Sequence, residues 1–197
     1  WPLYGGSRAR FAQSLVRVVF LHVQSNDERV VGVVGLPEIR PSMESMDLVN
    51  PSVLHTERLL LRELTMADAP ALFGIRQDTR VMRYIPRDKP HELAEVEALI
   101  EIMTADRAQH IGITWGITVR GSERIIGTIG FYRLRKEHRR GEVGYLLHRD
   151  EWGKGYASEA LVAVVQHGFR AMGFHRIEAY TDPLNGASNR LLARQGF

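Results

Sequence analysis

The chain has 197 residues, 44% of them hydrophobic and 25% charged, which is typical of a globular domain with one buried core. The formal net charge is +3, and it falls almost to zero once the first 42 residues are set aside. The composition therefore shows no excess of basic residues that would indicate nucleic-acid binding. The absence of cysteine excludes a disulfide scaffold, a thiolate nucleophile and a cysteine-ligated zinc site. No histidines lie at metal-ligand spacing and no run has the ~20 apolar residues of a membrane helix, so we expect a cytoplasmic protein without a metal.

Residues 1–53 are predicted to be a leader and linker that is poorly ordered or not native. Pro37, Pro41 and Pro51, with polar residues between them, are typical of a linker. The arginines around the apolar stretch 16–23 leave a signal or transit peptide as an alternative. The functional interpretation therefore rests on a domain over residues 54–197.

Hydrophobic periodicity in that domain predicts an α/β fold with a mixed sheet. Thr65 and Asp68 are candidate N-caps of the first helix, and Gly173 is placed to end the third. In chain order the predicted elements are a strand over 58–64, helices over 68–77 and 92–107, strands over 114–119, 125–134 and 140–148, a helix over 157–172, a strand over 176–181 and a helix over 185–194.

A glycine-rich stretch joins the strand over 140–148 to the helix over 157–172. Gly153 and Gly155 let the backbone approach a bulky anion. The first turn of a helix adds unpaired N–H groups and a positive dipole end, which together can bind a phosphate. Lys154 either adds charge at the rim or is a solvated side chain. On spacing alone, a simple strand-to-helix turn explains the two glycines equally well.

Two nucleotide-binding patterns fit this stretch poorly. A Walker loop needs glycine at His148 and serine or threonine at Gly155. A dinucleotide fingerprint that starts at Gly153 has its third small residue at Ser158, and no acidic residue follows in the expected place. A phosphate-nucleotide enzyme is therefore the least supported of the functions that we consider.

Four segments, in the same order, resemble the GNAT superfamily, most closely its ribosomal-protein N-terminal acetyltransferase branch. The segments are TERLLLR at 56–62, EVGYLL at 142–147, WGKGYASEAL at 152–161 and NGASNRLLARQGF at 185–197. The resemblance covers about residues 54–197 and implies the GNAT acyl-CoA N-acyltransferase fold. Family members continue past the Gly-Phe pair, so we expect missing C-terminal strands, an incomplete sheet edge and lower stability.

The resemblance also implies an acetyl-CoA site. The donor's pantetheine arm is expected to pair with the strand before the turn, through main-chain groups of Tyr145, Leu146 and Leu147. An N–H of Leu146 or Leu147 would polarise the thioester carbonyl. Asn185 matches the position that bonds to the arm. The diphosphate is expected on the amides of the turn, which are those of Trp152, Gly153, Lys154, Gly155, Tyr156, Ala157 and Ser158.

The implied chemistry is direct attack of an amine on the thioester, for which the amine must lose a proton. Glu142 is the candidate base, acting through water, with Tyr145 expected near it on the same strand. An ion pair with a neighbouring arginine is the alternative for Glu142. Leu192 stands where many members carry an acidic tyrosine, so Ser188 is the candidate proton donor to the thiolate. Helix capping is the alternative for Ser188.

We therefore predict an N-acetyltransferase that transfers acetyl from acetyl-CoA to a primary amine, on a protein N-terminus or on a small molecule. The alternative is a catalytically idle acyl-CoA-binding or sensing domain, which the missing tyrosine and the missing strands favour. We expect no nucleic-acid or membrane partner, and either a monomer or a homodimer. The resemblance assigns acceptor choice to the first two helices and to loops, so the motifs above leave the acceptor open.

Overall fold

One seven-stranded sheet organises the part of the chain that the computed structural model describes, which is residues 30–35 as a strand and residues 53–197. The sheet order is β1-β7-β6-β5-β4-β3-β2, and every neighbouring pair is antiparallel except β6 and β7. The strands are β1 (Val30–Gly35), β2 (Leu54–His55), β3 (Leu59–Glu63), β4 (Ile113–Val119), β5 (Ile125–Arg135), β6 (Arg140–Leu147) and β7 (Arg176–Thr181).

Helices cover both faces of this sheet. One buried cluster includes Trp115 and Phe131 of the sheet and Val164 of α4, and a second includes Leu72 of α1 and Ile100 of α3. Gly168 lets α4 lie close to the sheet, because a Cβ there would be 2.7 Å from the Phe131 ring. The helices are α1 (Ala69–Gln77), α2 (Thr79–Met82), α3 (Leu93–Ala108), α4 (Tyr156–Arg170) and α5 (Gly186–Arg194). None of them, in the described part of the chain, combines the length and apolarity that crossing a bilayer requires.

The mixed α/β fold was predicted correctly, and each predicted element is present with its ends shifted by at most two residues. Among the described residues, two strands and one α-helix were not predicted. The strands β1 and β2 lie at or before residue 55, where the sequence analysis placed the leader and the domain start. Helix α2 is only four residues long, which is too short to show a helical period.

The outer edge of β7 is paired, so the incomplete sheet edge that we expected is not found there. β1 runs antiparallel along all of β7, from Val30 opposite Thr181 to Gly35 opposite Arg176. An uncovered edge presents free N–H and C=O groups, and the valine-rich sequence of β1 favours a strand that satisfies them. Residues 1–29 and 36–52 lie outside the described residues, so the domain boundary at 53 stays a prediction.

The two parallel strands separate where the candidate site lies. β6 and β7 are paired only from Arg140 opposite Arg176 to Glu142 opposite Glu178. Beyond that point the strands diverge. α4 follows the end of β6 and α5 follows the end of β7, so both helices begin beside the resulting gap.

Candidate functional site

The gap exposes main-chain groups of β6. His148 N donates to Ile126 O at 2.7 Å and the Leu146 carbonyl crowds Gly127, so alternate residues of β6 face β5. Tyr145 and Leu147 therefore direct their main-chain groups into the gap. Since β5 engages the main chain of Leu146, that residue can contribute only its side chain to a ligand there.

The glycine-rich turn has its backbone donors free. Gly153 and Gly155 have φ of +75° and +85°, a region that favours glycine. The first bond into α4 is Glu159 N to Gly155 O at 3.0 Å. Within the described part of the chain, the amides of residues 153–158 donate no hydrogen bond. We call residues 152–158 the cradle, because this arrangement suits a phosphate group.

A pocket of about 630 Å³ connects the gap to the cradle. Every predicted site residue except Glu142 and Lys154 lines this pocket. The pocket is also lined by residues of α2 and the loop after it that the motifs did not indicate, which we call the facing wall: Arg80, Val81, Arg83, Tyr84 and Ile85. The sequence contains a signal for the short helix that carries part of this wall, because Asp78 is a good N-cap and Pro86 follows the segment. In the structure the Asp78 carboxylate accepts from Arg80 N at 2.7 Å.

The side chains of Lys154 and Trp152, in the cradle, both bond to protein partners. Lys154 Nζ lies 2.9 Å from Glu151 Oε2, so the charge of Lys154 is neutralised locally and adds little to the pocket. Trp152, whose side chain is about half exposed, donates its indole N–H to Leu147 O at 2.9 Å. This bond occupies one carbonyl in the gap and leaves the Leu147 N–H facing it.

Tyr145, Ser188 and Asn185 meet at the gap. The Tyr145 hydroxyl lies 2.7 Å from Ser188 Oγ. Burial raises the pKa of Tyr145, and the hydrogen bond with Ser188 opposes part of that rise. Asn185 Oδ1 caps α5 by accepting from Ser188 N at 3.1 Å, so the Ser188 hydroxyl has no capping role. Asn185 Nδ2 has no partner among the described residues and remains available to a ligand.

Glu142 lies on the other face of the sheet. Its carboxylate receives a bond from Arg133 Nη1 at 2.9 Å, which is the ion pair that we considered as the alternative to a base. The expected proximity of Tyr145 to Glu142 is wrong, because residues three apart on a strand point to opposite faces. Tyr145 packs instead with the cluster under α4.

The charged residues that line the pocket are mostly basic. Glu151 is the one carboxylate among its lining residues, and Lys154 already pairs with it. Such an imbalance attracts a polyanion. Within the described residues, no group of three or more His, Asp or Glu is placed to hold a metal ion. The basic residues that line the pocket are Arg80, Arg83, Arg190 and Arg194.

Comparison with known proteins places this geometry in a family. The acetyltransferase (GNAT) domain model matches residues 58–197. YoaA of Bacillus subtilis (strain 168), named an uncharacterized N-acetyltransferase, is 40% identical over 145 residues, covering 74% of this chain and 82% of YoaA. The ribosomal protein uS5-alanine N-acetyltransferase of Escherichia coli (strain K12) is 30% identical over 149 residues, covering 73% and 77%. The fold matches that of RimL, a ribosomal alpha-N-protein acetyltransferase solved with coenzyme A, with a TM-score of 0.67 at 18% identity, covering 74% and 82%.

Proposed function

The chain belongs to the GNAT acetyltransferase family and is an acyltransferase, and on that premise we propose that it transfers acetyl from acetyl-CoA to a primary amine by direct attack. One observation carries the proposal: the gap between β6 and β7 leads into a turn whose amides are unbonded. Coenzyme A has the same order, a thioester arm followed by a diphosphate. Acetyl-CoA supplies the acetyl group as an activated thioester.

Residues of this chain fit each part of the donor. The amides of the cradle can bind the diphosphate. Tyr145 and Leu147 offer main-chain groups to the arm, and Asn185 Nδ2 offers a further donor. The arginines at the pocket supply counter-charge for the phosphates. The complex of RimL with coenzyme A supports the same ligand class for this fold.

Glu142 is proposed to take the acceptor's proton through a water molecule. Its side chain is mostly buried, whereas Arg133 is 70% exposed, so the ion pair is open to solvent on one side. A water molecule can therefore reach the carboxylate beside the ion pair. The N–H of Leu147, which faces the gap, is placed to polarise the thioester carbonyl.

Ser188 is proposed to return a proton to the departing sulfur from Oγ. The Tyr145 hydroxyl, 2.7 Å away, can then replace the proton that Ser188 has given, and the resulting tyrosinate regains a proton from solvent after the products leave. Because burial raises the pKa of Tyr145, its hydroxyl stays protonated at neutral pH and can serve as the source. This pair stands in for the tyrosine that Leu192 replaces.

The acceptor is proposed to be the amine of a protein N-terminus or of a small molecule. The name of the Escherichia coli relative, which specifies an alanine of a ribosomal protein, supports the first class. The facing wall is the part of the pocket left for the acceptor once the donor occupies the cradle.

Two measurements test the proposal. Calorimetry should detect binding of acetyl-CoA, and a thiol-release assay with N-terminal peptides and small amines should detect turnover. Binding without turnover across the panel would favour the alternative of an idle acyl-CoA-binding domain. No binding at all would contradict the proposed function.

The role of Glu142 has its own test. Glu142→Gln is expected to lower kcat/KM at neutral pH by about 100-fold, the lower range for a general base. The loss should shrink as the pH rises, since more of the acceptor amine is then already neutral. Glu137→Gln, an exposed carboxylate in the 3-10 turn before β6, is the matched control. Equal activity of the two variants at neutral pH would remove Glu142 from the mechanism.

A further inference from the structure

An arginine from the start of the domain contacts the cradle. Arg58 Nη1 donates to Lys154 O at 2.9 Å, across 96 residues of sequence. The guanidinium carbon lies 4.8 Å from the centre of the Tyr156 ring, a cation–π distance. Arg58 Nη2 is 3.2 Å from the position that a Cβ of Gly155 would take. The side chain therefore lies behind the turn whose amides face the pocket.

Glu159 fixes the orientation of that arginine. The Oε2 atom of Glu159 accepts a hydrogen bond from Arg58 Nε at 2.7 Å and lies 2.7 Å from Arg58 Nη2. The Oε1 atom of Glu159 accepts from the main-chain N of Arg58 at 2.8 Å and from Thr56 Oγ1 at 2.6 Å. Burial alone would raise the pKa of Glu159, but the bonds from Thr56 and Arg58 outweigh it and lower the pKa. Glu159 is therefore charged at neutral pH. We call Thr56, Arg58 and Glu159 the brace.

Peptide geometry shows what the brace does to the cradle. Lys154 C=O and Gly155 N–H belong to one planar trans peptide unit and point in opposite directions. Because Arg58 holds the Lys154 carbonyl on the side away from the pocket, the Gly155 amide points into it. Without that bond, Gly155 would let the peptide unit rotate, because glycine adopts either sign of φ.

We propose that Arg58, held by Glu159, is a positioning residue for the diphosphate of the acyl donor, because it fixes the peptide plane between Lys154 and Gly155. This inference rests on the proposed function. Direct charge attraction is a minor part of its effect, since Glu159 neutralises the guanidinium. The brace acts through the geometry of the backbone and thereby gives a function to the TERLLLR segment that begins the domain.

The test compares variants of Arg58 in binding and in turnover. Arg58→Ala should weaken acetyl-CoA binding about tenfold in calorimetry, the size of one lost charge-assisted hydrogen bond. The kcat at saturating donor should stay close to that of the parent protein. Arg58→Lys should recover thermal stability by pairing with Glu159, but not affinity, since one ammonium cannot hold Glu159 and Lys154 O in the same fork geometry.

A shorter donor separates positioning from general stability. S-acetylpantetheine has the thioester arm but no diphosphate, so Arg58→Ala should lower kcat/KM for acetyl-CoA and leave that for S-acetylpantetheine unchanged. Arg62→Ala is the matched control, because Arg62, in β3 just after Arg58, makes a bidentate pair with Asp68 and does not touch the cradle. This control should lose stability and keep its affinity for acetyl-CoA.

The outcomes distinguish this inference from the function on which it rests. If the parent protein does not bind acetyl-CoA, the proposed function fails. If the parent protein binds and Arg58→Ala binds equally well, the brace has no positioning role and the function stands. An equal loss of affinity in Arg62→Ala would mean that the effect is one of overall stability, which also overturns the inference.

Discussion

The two sides of the pocket are built from different parts of the chain. The cradle presents main-chain amides from a turn with two left-handed glycines, and it is held from behind by Arg58 and by Gln195, which donates to Ser158 Oγ at 2.8 Å. The facing wall presents side chains from a four-residue helix and the loop after it. Main-chain amides would bind the diphosphate of any acyl-CoA in the same way. The side chains of the facing wall would instead decide which acceptor fits the pocket. The donor side should therefore tolerate few changes and the acceptor side many.

The largest effect is expected at the gap between the two sides. Ser188→Ala should lower kcat by about 100-fold, because general acid–base catalysis contributes at least that much, while the Kd of acetyl-CoA stays unchanged. Tyr145→Phe should lower kcat by less, since it leaves the Ser188 hydroxyl in place and removes only the hydroxyl that reprotonates Ser188. Steady-state kinetics together with calorimetry would measure both parameters.

The double variant is the control for that prediction. If Tyr145 acts through Ser188, adding Tyr145→Phe to Ser188→Ala costs nothing further, because residues that act as one unit are not additive. Independent, multiplying losses would show that the hydrogen bond between them has no catalytic role.

An effect of similar size is expected at the cradle itself. Gly155→Ala places a Cβ at φ +85° and 3.2 Å from Arg58, so it should turn the peptide and lower kcat/KM for acetyl-CoA by about 100-fold, the effect of a small misplacement. Gly121→Ala has almost the same backbone, φ +82°, with nothing within 4 Å. Both should lose about 1 kcal/mol of stability from the left-handed conformation, but only Gly155→Ala should lose activity. Denaturant unfolding and kinetics on both variants would decide this, and equal kinetics would refute the role of the turn.

Local patterns made most of the fold predictable. Period-two and helical spacing located the main strands and helices, since each pattern reports the local backbone and its buried face. The two glycines before α4 likewise predicted a tight turn, because left-handed turns need glycine. The diphosphate site at that turn was implied by the family resemblance and stays a prediction. The same reasoning also exposes an error, since the strand period already places Glu142 and Tyr145 on opposite faces.

Contacts between distant segments were not predictable from spacing. Arg58 and Glu159 meet across 101 residues, and Tyr145 and Ser188 across 43, in pairings that only the packing of α4 and α5 on the sheet determines. The facing wall was missed for a different reason. Helix α2 has a single turn, so it shows a cap at Asp78 but no period.

A smaller effect on binding should distinguish the cradle from the facing wall. Tyr84→Ala, on the facing wall, is expected to raise KM for the acceptor about tenfold, the scale of one lost apolar contact, and to leave the Kd of acetyl-CoA within about twofold. Trp152→Ala, an aromatic residue of the cradle, should do the reverse. If both variants change the same parameter, the pocket is not divided between donor and acceptor as proposed.

The smallest effect concerns the helix that carries the cradle. The His167 ring of α4 meets Trp115 edge to face at 5.7 Å, and burial lowers the pKa of His167 from its ordinary value of 6.5. Since the unfolded chain then binds a proton more readily than the folded one, stability is full above about pH 6.5 and is lost as the pH falls through the folded-state pKa. Denaturant unfolding on either side of pH 6.5 should show this loss, and His167→Gln should reduce it because glutamine does not titrate. Because the His167 ring is only partly buried, the change should be small. It should affect donor binding before acceptor binding, since α4 begins in the cradle and the facing wall does not lie on that helix. An identical pH dependence in the variant would assign the loss to other groups.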